Sequence, residues 1–443
     1  MTDERHARDE RSRQQDQEIS RVEPQRMSRR RFLEAAGAVA AGWLLSQCVP
    51  GKEAPEVTAP PPSATPETAD AIPSPTSTVA PEEPAQSPTA TATTEPTATT
   101  VSPTATPEAT GGEAASASAS VQAQVAIGTA DSYDPGVIDT VMRDVLDGIG
   151  GLGDIIGSGD RVAIKVNLTG GLGNEVPGYT PMDTFVSHPE VVRALGALLR
   201  DAGASEVLIV EAVYQWGSYV QWGFEEAAKA IDATLIDLNA TDPYDDYVDV
   251  AVPGGGEIYE TYKMNPILHE VDAFVSLAKM KCHWTCGVTH AMKNLVGLVP
   301  AKFYHLKPEH GHRSAFHGPS EETAGYRVPR IITELNRIRP IDLAIVDGIK
   351  TTEGGEGPWI GMMAPVQPGV IFAGKDPVAT DAVATAAQGF DPTAAGMTVP
   401  FVRSDNHLSL AHQAGLGTHR LGEIEVTGAS ISDVRYDFKP CVR

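Results

Sequence analysis

Cysteine is scarce in this chain: Cys48, Cys282, Cys286 and Cys441 are the only four among 443 residues. None of their spacings matches the runs that hold an iron–sulfur cluster, so a self-contained ferredoxin-type cluster is not expected. Positive charge is also in deficit. Thirty-four Lys and Arg face 58 Asp and Glu, a net charge of −24, which argues against non-specific binding to nucleic acid or to anionic lipid. Residues 51–120 hold scarcely any large apolar side chains and consist almost entirely of Pro, Thr, Ala, Ser and Glu. Such a stretch cannot bury enough apolar surface to offset its chain entropy. It reads as a disordered, semi-stiff linker, and its Thr/Ser/Pro character also fits an O-glycosylated stalk.

Residues 1–50 read as a targeting segment rather than structure. An Arg-rich polar region leads to Ser28-Arg29-Arg30-Arg31-Phe32-Leu33 and then an apolar stretch, 35–45. That stretch falls short of the roughly 20 residues a membrane-spanning helix needs. The arrangement resembles a twin-arginine export signal, which implies passage through the twin-arginine machinery, a route used by folded and often cofactor-loaded proteins. Leu44-Leu45-Ser46-Gln47-Cys48 resembles a bacterial lipobox, although Gln47 replaces its usual small residue. The expected location is therefore the outer face of the cytoplasmic membrane or the periplasm, with a lipid on Cys48 and membrane contact through the N-terminus only.

Residues 121–443 alternate strand-like and helix-like patterns. Strands are expected over 124–128, 161–168, 206–210, 234–238, 273–277, 343–346, 370–373 and 423–426, and a hairpin over 248–252 and 257–262. Helices are expected over 137–149, 189–202, 224–231, 321–338 and 377–388, and a further one beginning at Gly287. The expected fold is α/β: a mainly parallel sheet flanked by helices, as one domain or two lobes. In such sheets ligands bind at the carboxyl ends of the strands. Polar residues cluster there: Lys165 and Asn167, Glu211, residues 279–283, and Asp347.

Residues 279–300 are the densest of these clusters, with three lysines, two cysteines and two histidines. Charged groups after a buried strand are costly unless they bind something. Lys165, Asn167, Lys281, His283, Thr289, Lys293 and Asn294 suit an anionic ligand such as a carboxylate or phosphate; a surface loop is the plainer reading. Cys282 and Cys286 could ligate a metal with His283 or His290, form a disulfide, or lie inert in the core. His305, His310, His312 and His317 fall within thirteen residues of a chain with only 12 histidines. His305, His310 and His312 are candidate ligands for a transition metal (nickel, zinc or iron), and His310 and His312 candidates for proton transfer. Asp347, and Glu353 in the loop Glu353-Gly354-Gly355-Glu356-Gly357-Pro358, could act as acid, base or metal ligand. That loop is neither a phosphate-loop nor a dinucleotide fingerprint. Asp376 and Pro377 open a helix as cap and first residue, and Asp381 follows a turn later.

Several of these pieces occur together and in order: Lys165-Val166-Asn167-Leu168, His188-Pro189-Glu190, Lys281-Cys282-His283, Gly287-Val288-Thr289 through Lys293-Asn294-Leu295-Val296-Gly297, Val346-Asp347-Gly348, the 353–358 loop, and Gly374-Lys375-Asp376-Pro377 with Asp381-Ala382. As a set they resemble the family catalogued as domain of unknown function 362, over most of residues 160–420. Many of its members carry a ferredoxin module, which this chain does not. They often have Gly-Glu-Ser where this chain has Glu211-Ala212-Val213. Residues 289–300 also bear a faint similarity to the lactate racemase family, whose lysine holds a nickel-pincer cofactor. That similarity implies Lys293 in the lysine's place and His305 or His310 as nickel ligand, with His290-Ala291 replacing a double glycine.

The expectation is an exported protein, an enzyme acting on a small anionic molecule with a metal or cofactor, or else a non-catalytic binding protein for an anionic ligand.

Overall fold

The strand Glu206–Glu211 shows why this sheet is internal. Its sequence, Glu-Val-Leu-Ile-Val-Glu, is apolar without alternation, and from Val207 onward every residue is buried. A strand reads this way when helices cover both faces of its sheet. The structure, a computed structural model, describes residues 121–304 and 314–442, all within one compact unit, Ala117–Arg443. The export signal, Cys48, the linker, His305, His310 and His312 lie outside the described residues.

The strands are β1 (Ala123–Thr129), β2 (Arg161–Lys165), β3 (Glu206–Glu211), β4 (Ala233–Asp237), β5 (Val248–Ala251), β6 (Thr261–Met264), β7 (Ala273–His283), β8 (Gly287–Thr289), β9 (Leu343–Glu353), β10 (Ala364–Val366), β11 (Val370–Gly374) and β12 (Ile424–Gly428). Ten form one sheet in the order β12-β1-β11-β9-β7-β2-β3-β4, with β10 on β9 and β8 on β7. The run β9-β7-β2-β3-β4 is parallel throughout; β11 is antiparallel to both its neighbours, β1 and β9. The remaining two strands, β5 and β6, pair antiparallel as the expected hairpin.

One face of the sheet packs on the helices Pro135–Gly148 and Pro189–Asp201. The second begins as its sequence suggests: His188 accepts a hydrogen bond from the Glu190 amide, Pro189 is the first helical residue, and Val191, Val192, Leu195 and Leu199 make the buried stripe. The other face packs on Glu321–Ile338 and Pro377–Ala387. Among the described residues no helix is long and apolar enough to cross a membrane.

The chain runs outward from β2 through β3 to β4, then returns to lay β7 and β9 on the other side of β2. The order therefore reverses between β2 and β7. In open parallel sheets that point leaves a crevice at the carboxyl ends of the strands. β2 ends at Lys165, paired with Ser276, while β7 continues to His283.

Three expectations are corrected here. β7 and β9 each run to eleven residues, so Lys279, Lys281 and Asp347 lie within strands rather than beyond them. Gly287 opens the short strand β8, not a helix; the helix is the single turn Ala291–Asn294, continued as a 3-10 turn over Leu295–Leu298. The second hairpin strand lies later than expected, at Thr261–Met264.

Candidate functional site

Three lysines stand at the switch point, and all are buried. Their partners differ. Lys165 Nζ lies 2.8 Å from Glu211 Oε1 and also donates to the Val166 carbonyl and Asn294 Oδ1. Glu211 further accepts from the Leu168 and Ala212 amides. Burial pulls the Lys165 ammonium down and the Glu211 carboxyl up, and the pair's own attraction opposes both shifts.

Lys279 Nζ lies 2.8 Å from Asp347 Oδ2. It also donates to Tyr133 Oη and to the Met182 and Lys350 carbonyls. The Tyr133 hydroxyl donates to Asp347 Oδ1 at 2.8 Å, and its ring stacks on His188 at 3.6 Å. Burial holds the His188 imidazole down at about 4, helped by the Lys279 charge. Lys279 Nζ thus has four oxygens around it for its three N–H groups, one of them a carboxylate.

Lys281 is 1% exposed and forms no ion pair with a carboxylate among the described residues. Among the described residues its Nζ donates to two oxygens, Asn167 Oδ1 and the Phe185 carbonyl, each at 2.7 Å. Burial, then the charge of Lys293, lowers its pKa to about 7; Glu356 opposes this. Lys293 stands in the first turn of Ala291–Asn294, half-buried. No described residue offers it a hydrogen bond or ion pair, and its charge also bears on Lys165, His283 and Cys286.

Local structure places these groups. Asp381 accepts from the Ala291 and Met292 amides at 2.9 and 3.0 Å, fixing the turn that carries Lys293 and Asn294. Asn294 Nδ2 donates to the Lys165 carbonyl of β2 and to Ser276 Oγ of β7, so it closes the gap between the strands. His283 Nδ1 accepts from the Thr285 and Cys286 amides; its proton therefore sits on Nε2. Burial and nearby Lys293 hold its imidazole well below the ordinary range. Thr289 is the cross-strand partner of Lys281. It is 3% exposed, and its hydroxyl has no hydrogen-bond partner among the described residues.

The structure thus places Lys165, Asn167, Lys281, His283, Thr289, Lys293 and Asn294 around the carboxyl ends of β2 and β7. It places Asp347 in the Lys279–Tyr133 network, and ties Glu353 to Lys439 through the latter's ammonium at 2.8 Å and its amide at 2.9 Å. Glu356, the other carboxylate of that loop, is the one that acts on Lys281; it accepts from the Trp284 amide. Cys282, Cys286 and Cys441 are buried free thiols. Among the described residues no group of three or more His, Cys, Asp or Glu side chains could hold a metal ion. Sequence reasoning missed Tyr133, which sits in a loop with no motif, and the Phe185 carbonyl, a backbone group that no pattern marks.

The family described as a domain of unknown function, DUF362, matches residues 162–386, a span that includes every crevice residue named above. The chain belongs to this family. A thylakoid-associated protein of Synechocystis sp. is 26% identical over 285 residues, covering 63% of this chain and 77% of that one. Among solved structures, the lactate racemase apoprotein of Thermoanaerobacterium thermosaccharolyticum aligns with a TM-score of 0.32 at 12% identity, over 56% of this chain and 54% of that one. A Thermotoga maritima protein aligns with a TM-score of 0.35 at 10% identity, over 59% and 60% of the two chains. This DUF362 chain therefore spans less than two thirds of either solved structure.

Proposed function

We propose that this DUF362 protein is an exported, membrane-tethered enzyme that binds a small carboxylate- or phosphate-bearing molecule in the crevice between β2 and β7. The observation that carries the reading is the contrast among the three lysines. Lys165 and Lys279 each have a buried carboxylate; Lys281, two residues along β7 from Lys279, has none, and Lys293 beside it is also unpaired among the described residues. A buried amine and a neighbouring cation without a counter-ion favour an anion. The twin-arginine and lipobox patterns support export, and the thylakoid association of the Synechocystis relative agrees with a place at a membrane.

His310 and His312 are proposed for proton transfer and, with His305, for a transition metal. Elemental analysis of the exported protein tests the metal: about one equivalent per chain supports it, and none removes it. The anion site is tested by calorimetric titration of the purified protein with acetate, phosphate and a small oxo acid. Saturable 1:1 binding that weakens at least tenfold in Lys293→Gln supports the site; no binding by any of the three overturns it.

A second reading, a non-catalytic binding protein, is favoured by one observation. Asp347 and Glu353, the carboxylates expected to serve as acid or base, are engaged by Lys279 and Lys439. Anion binding without turnover of any oxo acid, hydroxy acid or phosphate ester would select it.

A further inference from the structure

Resting on the anion-binding reading above, we infer that Lys281 forms an imine with the carbonyl carbon of a small oxo acid whose carboxylate is held by Lys293. The hydrogen-bond count at Lys281 supports this. A neutral amine has two N–H groups and one lone pair; an ammonium has three N–H groups. Lys281 Nζ meets two acceptors, Asn167 Oδ1 and the Phe185 carbonyl, and no third among the described residues. Lys279, by contrast, meets a carboxylate, a hydroxyl and two carbonyls, the surroundings of an ammonium. The neutral amine is satisfied at Lys281 with its lone pair left over, which is the state a nucleophilic lysine requires.

Two further groups fit the chemistry. The Thr289 hydroxyl lies on the same sheet face as Lys281, since directly paired residues of neighbouring strands point to one side. It is buried and has no partner among the described residues, so it can donate to the oxygen that develops when a carbonyl is attacked. Lys293 supplies an unpaired positive charge for a carboxylate adjacent to that carbonyl.

The step balances without a further reagent. The Nζ lone pair forms a C–N bond and the C=O π pair moves to oxygen. One amine proton passes to that oxygen, giving a carbinolamine. The second amine proton leaves with the hydroxyl as water, the C–O bond breaks, and a neutral C=N bond remains.

The test is reductive trapping on the full purified chain. The protein is incubated with glyoxylate or pyruvate and sodium cyanoborohydride, then analysed by intact mass and peptide mapping. The expected result is a single adduct on Lys281, formed at least tenfold faster than on any other lysine. It should disappear in Lys281→Arg, and slow at least tenfold in Lys293→Gln for the oxo acids but not for neutral acetaldehyde. The Lys293→Gln variant leaves Lys281 in place, so it reports even if Lys281→Arg fails to fold. Adducts spread evenly over surface lysines, or no adduct on a folded protein that still binds acetate or phosphate, overturn the imine and leave the anion site standing. Failure of both trapping and anion binding overturns the two together.

Discussion

Gly297 closes over Glu211: a Cβ built on this glycine would overlap Glu211 Oε1 and stand 2.8 Å from Lys165 Nζ. The 3-10 turn following the Lys293 helix thus rests its backbone directly on a buried ion pair, and only a residue without a side chain allows that approach. The Ala212 amide completes the contact by donating to the Gly297 carbonyl at 3.0 Å.

Gly297→Ala should therefore destabilise the protein by roughly 1–3 kcal/mol, the usual cost of forcing a methyl into a packed site. Urea denaturation of the variant and wild type measures this. Anion affinity should fall as well, because the same turn positions Lys293; unchanged stability would show that the ion pair yields at no cost.

Anion binding should depend on pH through Lys281. In the free protein burial, then the charges of Lys293 and Lys279, depress its pKa to about 7, while Glu356 and Glu211 oppose them. A bound anion favours the ammonium and raises that pKa, so binding takes up a proton. Affinity is then full below about 7 and falls as pH rises above it, by up to tenfold per pH unit. Calorimetry from pH 6 to 9 should show this slope, and Lys281→Met should abolish it.

Burial raises the Asp381 carboxyl to about 8, against the two amide hydrogen bonds that favour its charge. The folded state therefore holds this proton more tightly than the unfolded chain, where the carboxyl titrates near ~4. The contribution to stability is present below that value and is lost as pH rises through about 8. The stability of wild type minus that of Asp381→Asn should accordingly decline between pH 4 and 8. A flat difference would mean that the two amides keep Asp381 ionised throughout.

Cys282, Cys286 and Cys441 should be inert in the folded protein. Cys286 is buried and its thiol is pushed up to about 12; burial also raises Cys282 and Cys441. Ellman's reagent should modify none of the three in native protein at pH 8 and all three in guanidinium. A disulfide between Cys282 and Cys286 would leave both unreactive even after unfolding.

Much of this site could be read along the chain. Helical spacing located Pro189–Asp201 and Glu321–Ile338 because burial on one face of a helix imposes its own period. Apolar runs located the cores of β2, β3 and β7. Lys165, Asn167, Lys281, Thr289, Lys293 and Asn294 stood out because charged and amide groups beside such runs are expensive. The lengths of β7 and β9 were not legible, since Lys279, Lys281 and Asp347 read as the ends of strands. Lys279 and Asp347 pair with each other and with Tyr133, and Lys281 donates to Asn167 and the Phe185 carbonyl, partners that only folding brings to them. The single turn at Ala291–Asn294 is not legible in the sequence for a related reason: it is held by Asp381, ninety residues later.

The sequence by itself determined the α/β alternation, the crevice side of the sheet and the residue types gathered there, because local periodicity and the cost of burying charge act on neighbours in the chain. The tertiary structure alone decided which lysines are neutralised. A charge is compensated by whatever folding places within about 3 Å of it, and for Lys165 and Lys279 that was a carboxylate from another strand. For Lys281 it was not.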